Sequence, residues 1–381
     1  MKFSIDKDLI INDFQSLAAI ADKKQTLPIL SNILIRCEED NVRFLSTDLE
    51  VELGVVVGGA KIESPGETTV SAKKIADIIR ELPEGEVLFQ LNEDGSKLTV
   101  KSSSGRYNLA TIPGSDFPDF DVVKSDKVFN VSSAQLLELL QKTSFAMGVG
   151  DWRHYLNGCL FEKSLESLKM VATDARRLSL CKSNLASEGE FSGIIPRKTA
   201  IELIKILPKE EAEIEFYISA NNIVFMSKNF TFKSKLINAN YPNYRQAIPS
   251  GNGTSITVNR KDLINTLSRV SVLTSDKFKA VKLKTETGVL EVSAHNPHQE
   301  SAEEKMKVES ESDDFDAHFN FTDLKELLST VEDEKITLIK FEDEIKKVEV
   351  EGEIKEERKP QGVLVKTSDS NQTLVINPLL L

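Results

Sequence analysis

One passage is written three times along this 381-residue chain, and no other feature constrains its fold as much. A helix-patterned run followed by a strand-patterned run occurs as AKKIADIIRELPEGEVLFQL, RKTAIELIKILPKEEAEIEFYI and FTDLKELLSTVEDEKITLIKF. Asp77, Glu202 and Glu326 fall in register, followed by Ile78, Leu203 and Leu327, then Ile79, Ile204 and Leu328. Leu82, Leu207 and Val331 close the three helices, and the copies are offset by 125 and 124 residues. Flanking text repeats as well: LSNILIR with TDLEVEL upstream matches LNGCLFE with TDARRLSL, and FKAVKLK resembles both loosely.

Solenoid repeats recur every few dozen residues, far below this period. A unit of about 125 residues is the commonest size for a domain with its own core. The chain is therefore expected to hold three tandem domains of one fold, at 1–125, 126–250 and 251–381. FPDFDVVKSD and YPNYRQAIPSGNGTS supply the Pro, Gly, Ser and Asp of linkers.

Each copy opens on an amphipathic helix pattern, as in SSAQLLELLQKTSFAMG, where Ser132 and Ser133 are the candidate N-caps. Alternating strands and short polar turns follow, then a second helix and more strands. The fold class read from this is α+β: two helices packed on antiparallel sheets in each of three copies. Identical modules joined head to tail close into a ring when the rotation per contact permits, which removes open strand edges. Pattern leaves open whether three copies close alone or form half of a ring made by two chains.

The formal net charge is −12, yet its placement matters more than its sum. Acidic residues gather in turns and strand edges such as CEEDN and VEDE, whereas Lys and Arg are denser in or beside the helix runs. Helices turned inward would give a ring a basic bore suited to a polyanion. Cys37, Cys159 and Cys181 are odd in number and lack metal-ligand spacing, as expected of a reduced cytosolic protein. Neither a signal-peptide pattern nor an apolar run near the roughly 20 residues of a membrane span is present.

No phosphate-binding, dinucleotide, zinc-protease or nucleophile-elbow motif occurs. His295 and His298 sit in a Pro-containing turn without a third ligand, and Thr47-Asp48 and Thr173-Asp174 are read as turn aspartates bonding nearby backbone amides. Without such motifs the chain is expected to be a binder, with no catalytic residue, metal or cofactor.

The segments TLPILSNILI, TDLEVEL, SDFPDF, YLNGCLFE, VATDARRLSL, IPRK, SKLINANYPNYR, KFKAVKL and the terminal NPLLL resemble the bacterial DNA polymerase III beta subunit, the sliding clamp of replication, in order from Met1 to Leu381. The resemblance implies a head-to-tail homodimer of six similar domains, with helices lining a hole and sheets outside. Double-stranded DNA would thread the hole without sequence specificity while the ring tethers the replicative polymerase. It also implies a non-catalytic cytoplasmic protein, loaded by a separate ATP-driven clamp loader and shared with repair or translesion polymerases.

Residue by residue, the resemblance assigns DNA contact to Lys24, Lys73, Arg153, Tyr155, Arg197 and Lys198. Gly150 and Gln246 depart from the longer polar or basic side chains that the family often carries. It assigns a partner-peptide cleft to Leu156, Thr173, Ala175, Arg176, Arg177, Leu178, Pro242, Ala247, Asn320, Ile345, Val375, Ile376, Asn377, Pro378 and Leu379. Arg176, Asn377 and Leu380 replace the family's common His, Met and Arg there. Dimer contact falls to Tyr107, Leu109, Val272 and Leu273, and the charged stretch 351–371 is expected to lengthen a hairpin. The alternatives are a ring scaffold of the same fold that never holds DNA, and an enzyme using carboxylates between domains.

Overall fold

A computed structural model describes residues 1–21, 27–118, 128–275, 279–310, 314–350 and 353–380. Six α-helices lie among them: α1 (Ile11–Ile20), α2 (Ala72–Glu81), α3 (Ser133–Ser144), α4 (Arg197–Ile206), α5 (Arg260–Val270) and α6 (Phe321–Ser329). The chain resolves into two compact units, residues 1–137 with 198–237, and residues 138–197 with 238–381.

The first unit is built on an antiparallel sheet of thirteen strands among the described residues. Strand Val51–Val57 of the first copy pairs there with Phe230–Lys235 of the second, Phe230 opposite Val55 and Ser234 opposite Val51. Phe3 stacks on Phe89 at 4.8 Å between ring centres, and Phe14 of α1 meets Phe44 at 4.8 Å. The helix is held because Phe14, Leu17 and Ile20 recur on one side of it and are buried against the sheet.

The second unit repeats that joint in a nine-stranded sheet, where Arg177–Asn184 pairs with Gln372–Ile376 in the register Leu178 opposite Val375. A four-stranded sheet carries α5 and α6, whose Leu263, Leu267, Leu324, Leu327 and Leu328 enter one core with Leu283, Val292 and Phe319. The strand Glu353–Lys359 folds back on Glu344–Val350, so the charged stretch does lengthen a hairpin.

Side-chain caps mark the starts of α3, α5 and α6, whereas α1 and α2 have none. Ser132 and Gln135 form a reciprocal capping box, the Gln135 amide donating to Ser132 Oγ at 3.1 Å and the Ser132 amide to Gln135 Oε1 at 3.3 Å. Ser133, the other candidate cap, is buried and instead donates to Glu210 O at 2.9 Å. The three second helices agree in their closing residues, since Leu82, Leu207 and Val331 are all buried. Their faces differ by one position. Leu203 and Leu327 are buried, but in α2 it is Ile79 that is buried and Ile78 that is half-exposed.

The Thr-Asp turns are structural, as read. Asp48 Oδ1 accepts from the Glu50 and Val51 amides at 2.9 and 2.8 Å, and Asp174 Oδ1 from those of Arg176 and Arg177 at 2.9 and 3.0 Å. Leu49 and Ala175 take φ of 71° and 70° at the same point of each turn. The third copy uses Asn296 in a turn one residue longer, accepting from His298 and Glu300.

Candidate functional site

The turn Thr173–Arg177 gathers several of the assigned cleft residues of the second unit. Thr173 Oγ1 donates to Arg177 O at 2.7 Å and accepts from the Ala175 amide at 3.0 Å, which lifts Ala175 and Arg176 into solvent. The segment after the last strand crosses this turn: the Asn377 amide donates to Arg176 O at 2.7 Å and Asn377 Nδ2 to Ala175 O at 2.9 Å. The Leu379 amide then donates to His318 O at 2.7 Å, leaving Pro378 and Leu379 half-buried. Turn and tail are thereby bound together with apolar side chains between polar rims, the form that suits an inserted peptide.

Beneath the turn lies a buried charge cluster. Arg177 donates to Phe145 O at 2.9 Å and Asp323 O at 3.2 Å, and its guanidinium pairs with Glu326 at 2.7 Å and Asp174 at 3.4 Å. Asp323 also takes Arg176 at 3.1 Å, and its carboxyl is raised by burial against the pull of both arginines. Asn320 caps α6 by accepting from the Thr322 and Asp323 amides. Asp323, Glu326 and Phe145 were not legible as site residues, because Asp323 lies 146 positions from Arg177.

The assigned cleft residues divide by access. Leu156, Arg177, Leu178, Val375 and Ile376 are buried and serve as floor and support. Ala175, Arg176, Pro242, Ala247 and Asn377 are exposed, while Thr173, Asn320, Pro378 and Leu379 are half-buried. Pro242 and Ala247 flank Tyr244, whose hydroxyl donates to Glu162 at 2.9 Å under the Arg245 guanidinium, 4.7 Å from the ring centre. Ile345 belongs to the strand Glu344–Val350, and its side chain lies outside the described residues.

The assigned cations differ in what already holds them. Lys73 is exposed on α2 without a partner among the described residues. Lys198 donates to Ile20 O at 2.8 Å and pairs with Asp48 at 2.6 Å. Arg197 donates at 3.3 Å to the carbonyl of Ser144, the last residue of α3. Arg153 is held by Asp151 through 3.0 and 2.8 Å bonds, which lower that carboxyl to about 2. Tyr155 is half-buried, and Lys24 lies outside the described residues. Sequence reading passed over Trp152, the only tryptophan, which is 82% exposed beside Arg153.

Two exposed edges carry the assigned dimer positions. Strand Arg106–Ile112 joins its neighbour Gly66–Ser71 only at Thr111 and Ile112, so Arg106–Ala110 has an open side. Tyr107 is 40% exposed there, but Leu109 at 8% points into the core and offers little to a partner. In the second unit Val272 is 76% exposed and Leu273 half-buried, and strand Ser301–Lys307 ends the four-stranded sheet.

No group of His, Cys, Asp and Glu among the described residues is arranged to hold a metal, and no helix is long and apolar enough to cross a membrane. All three cysteines are buried and free, with burial pushing the Cys159 and Cys181 thiols up to about 12.

Comparison with known proteins agrees with this geometry. The N-terminal, central and C-terminal domains of the DNA polymerase III beta subunit match residues 1–121, 130–243 and 245–362. The beta sliding clamp of Pseudomonas aeruginosa is 34% identical over 344 residues, covering 89% of this chain and 93% of that protein. That of Escherichia coli K12 is 33% identical over 353 residues, 92% and 96% of the two chains. The crystal structure of the Pseudomonas aeruginosa DnaN sliding clamp bound to griselimycin superposes with a TM-score of 0.88 at 31% identity, over 100% of both chains. A Bacillus subtilis sliding clamp, 23% identical with a TM-score of 0.86, shares the fold. On three matched domains and relatives along nearly its whole length, this chain belongs to the DNA polymerase III beta subunit family.

Proposed function

We propose that this sliding clamp, a non-catalytic processivity factor of DNA replication, closes head to tail with a second copy around duplex DNA and receives its partners in the cleft of the second unit. The turn and tail locked together at Ala175, Arg176 and Asn377 carry this reading, since they frame an accessible apolar strip at Pro378 and Leu379. The replicative polymerase, the clamp loader and repair or translesion polymerases would each insert a short apolar motif there. Division into copies at 1–125, 126–250 and 251–381, and a cytoplasmic location, belong to the same proposal.

A clamp that slides must avoid base-edge contacts and hold phosphates loosely, with long cationic side chains. Lys73 is the side chain best placed for this, having no partner among the described residues, while Lys198 and Arg153 are drawn off by Asp48 and Asp151. Lys24, Tyr155 and Arg197 complete the proposed contact set, and exposed Trp152 extends it.

The test is topological: a loaded ring should stay on nicked circular DNA and run off the same DNA once it is cut. Lys73→Glu should shorten retention and flatten its salt dependence by roughly one phosphate contact per protomer, with peptide binding unchanged. Leu379→Asp should do the converse, weakening a partner peptide at least tenfold, about 1.4 kcal/mol, with retention intact. Equal retention on circular and linear DNA would overturn the clamp reading in favour of a scaffold that does not hold DNA.

A further inference from the structure

The repeat builds one seam twice, and the two seams differ at the residues that could close them. In the first unit the Val56 amide donates to Asn229 O at 2.8 Å; in the second the Lys182 amide donates to Asn371 O at 3.0 Å. These equivalent bonds put Ser227 in register with Asp369. The Thr47-Asp48 and Thr173-Asp174 turns likewise put Ser16 of α1 in register with Lys142 of α3. Lys142 and Asp369 bridge the second seam at 2.6 Å. In the first, both positions are serine, and both line a cavity of about 850 Å³ between α1, residues 55–58, the end of α4 and the turn at 227–230.

Asp13 lines the same cavity, at the register position where the second copy has the fully buried Leu139. It has no hydrogen-bond or ion-pair partner among the described residues, and burial alone raises its carboxyl to about 6. The other charged groups lining the space are Lys205, already paired with Glu202 at 2.8 Å, and Lys209, which is exposed. The remaining walls are polar but uncharged, or apolar, as at Leu9, Val57 and Phe230. A carboxylate without a partner among the described residues, set in mixed polar and apolar walls in a space large enough for a ligand, complements a cation on an apolar stem.

We propose that this cavity binds a basic side chain of a partner peptide, a Lys or Arg whose charged end meets Asp13 and whose stem lies along Leu9, Val57 and Phe230. It is a second docking point, separate in sequence and chemistry from the cleft at Pro378 and Leu379. The repeat itself supplies the closed counterpart, in which a lysine of the chain spans the seam to Asp369.

The experiment titrates acetyl-Leu-Arg-Leu-amide into the full-length protein and follows Val, Leu and Ile methyl resonances. Shifts at Val55, Val57 and Ile206 are expected. Asp13→Asn should weaken binding at least tenfold, and Ser16→Lys with Ser227→Asp, which rebuilds the bridge of the other seam, should remove it. Affinity should rise several-fold from pH 5 to pH 7.5 in the unaltered protein and stay flat in Asp13→Asn, because a cation favours the ionised carboxyl. Undiminished binding to Asp13→Asn, shifts confined to Leu178 and Leu379, or no shifts at millimolar peptide would each overturn the proposal. Agmatine binding as tightly as the peptide would overturn the peptide as its occupant.

Discussion

Replacing Arg177 with methionine should destabilise the second unit by about 3–5 kcal/mol, as removing one member of a buried ion cluster does. The guanidinium is 7% exposed and is the group on which Asp174, Asp323 and Glu326 converge. Without it the one cation left to Asp174 and Asp323, also 7% exposed, among the described residues is Arg176, whose 60% exposure leaves it well hydrated. Two carboxylates withdrawn from water without a buried cation raise the energy of the folded chain far more than the lost contacts do. The carbonyls of Phe145 and Asp323 lose their donor as well. Urea unfolding of Arg177→Met beside Arg176→Met checks this, since the exposed arginine should cost no more than about 1 kcal/mol. Adding Asp174→Asn and Asp323→Asn to Arg177→Met should recover part of the loss. Equal costs for the two single variants would mean that the cluster does not anchor the turn.

Ring closure should fail in Val272→Glu. Val272 is 76% exposed in the turn after α5, so a carboxylate there is harmless to the separate protomer. In the proposed head-to-tail contact it would be carried into an apolar junction facing the open edge at Arg106–Ala110 and Tyr107. Burying an unpaired carboxylate costs several kcal/mol, and each 1.4 kcal/mol is about a tenfold change in dissociation constant. The variant should therefore sediment as a monomer at micromolar concentration, unfold at the same temperature as the unaltered monomer, and fail to stay on circular DNA. Unchanged sedimentation would remove Val272 from the contact. Leu109→Ala is a different case: its 8% exposure makes it a core deletion, whose effect on assembly would follow from lost stability.

These two cases divide what could be read in advance. Resemblance assigns Arg177 to the cleft; in the structure its contacts tie α6 to the turn from beneath. Resemblance assigns Lys198 and Arg153 to DNA contact, and nothing near them in sequence signals that Asp48, 150 positions away from Lys198, pairs with one of them. Arg153 and Asp151 are two apart, a spacing too common in surface loops to signal a pair. The one-residue difference between the buried faces of α2 and α4 is equally silent, since the two sequences align without a gap.

The sequence by itself determined the threefold repeat, the α+β character, the turns at Asp48 and Asp174, the cap at Ser132 and the lack of catalytic motifs. Each rests on signals a few residues wide: apolar period, a side chain bonding its neighbours' amides, or a missing motif. Only the tertiary structure decided that Lys142 meets Asp369, 227 positions on, while their counterparts Ser16 and Ser227 border an open cavity with Asp13, which has no partner among the described residues. Which distant polar groups face each other is settled when strands from different copies pair, and a change of one side chain at that joint leaves every local pattern as it was.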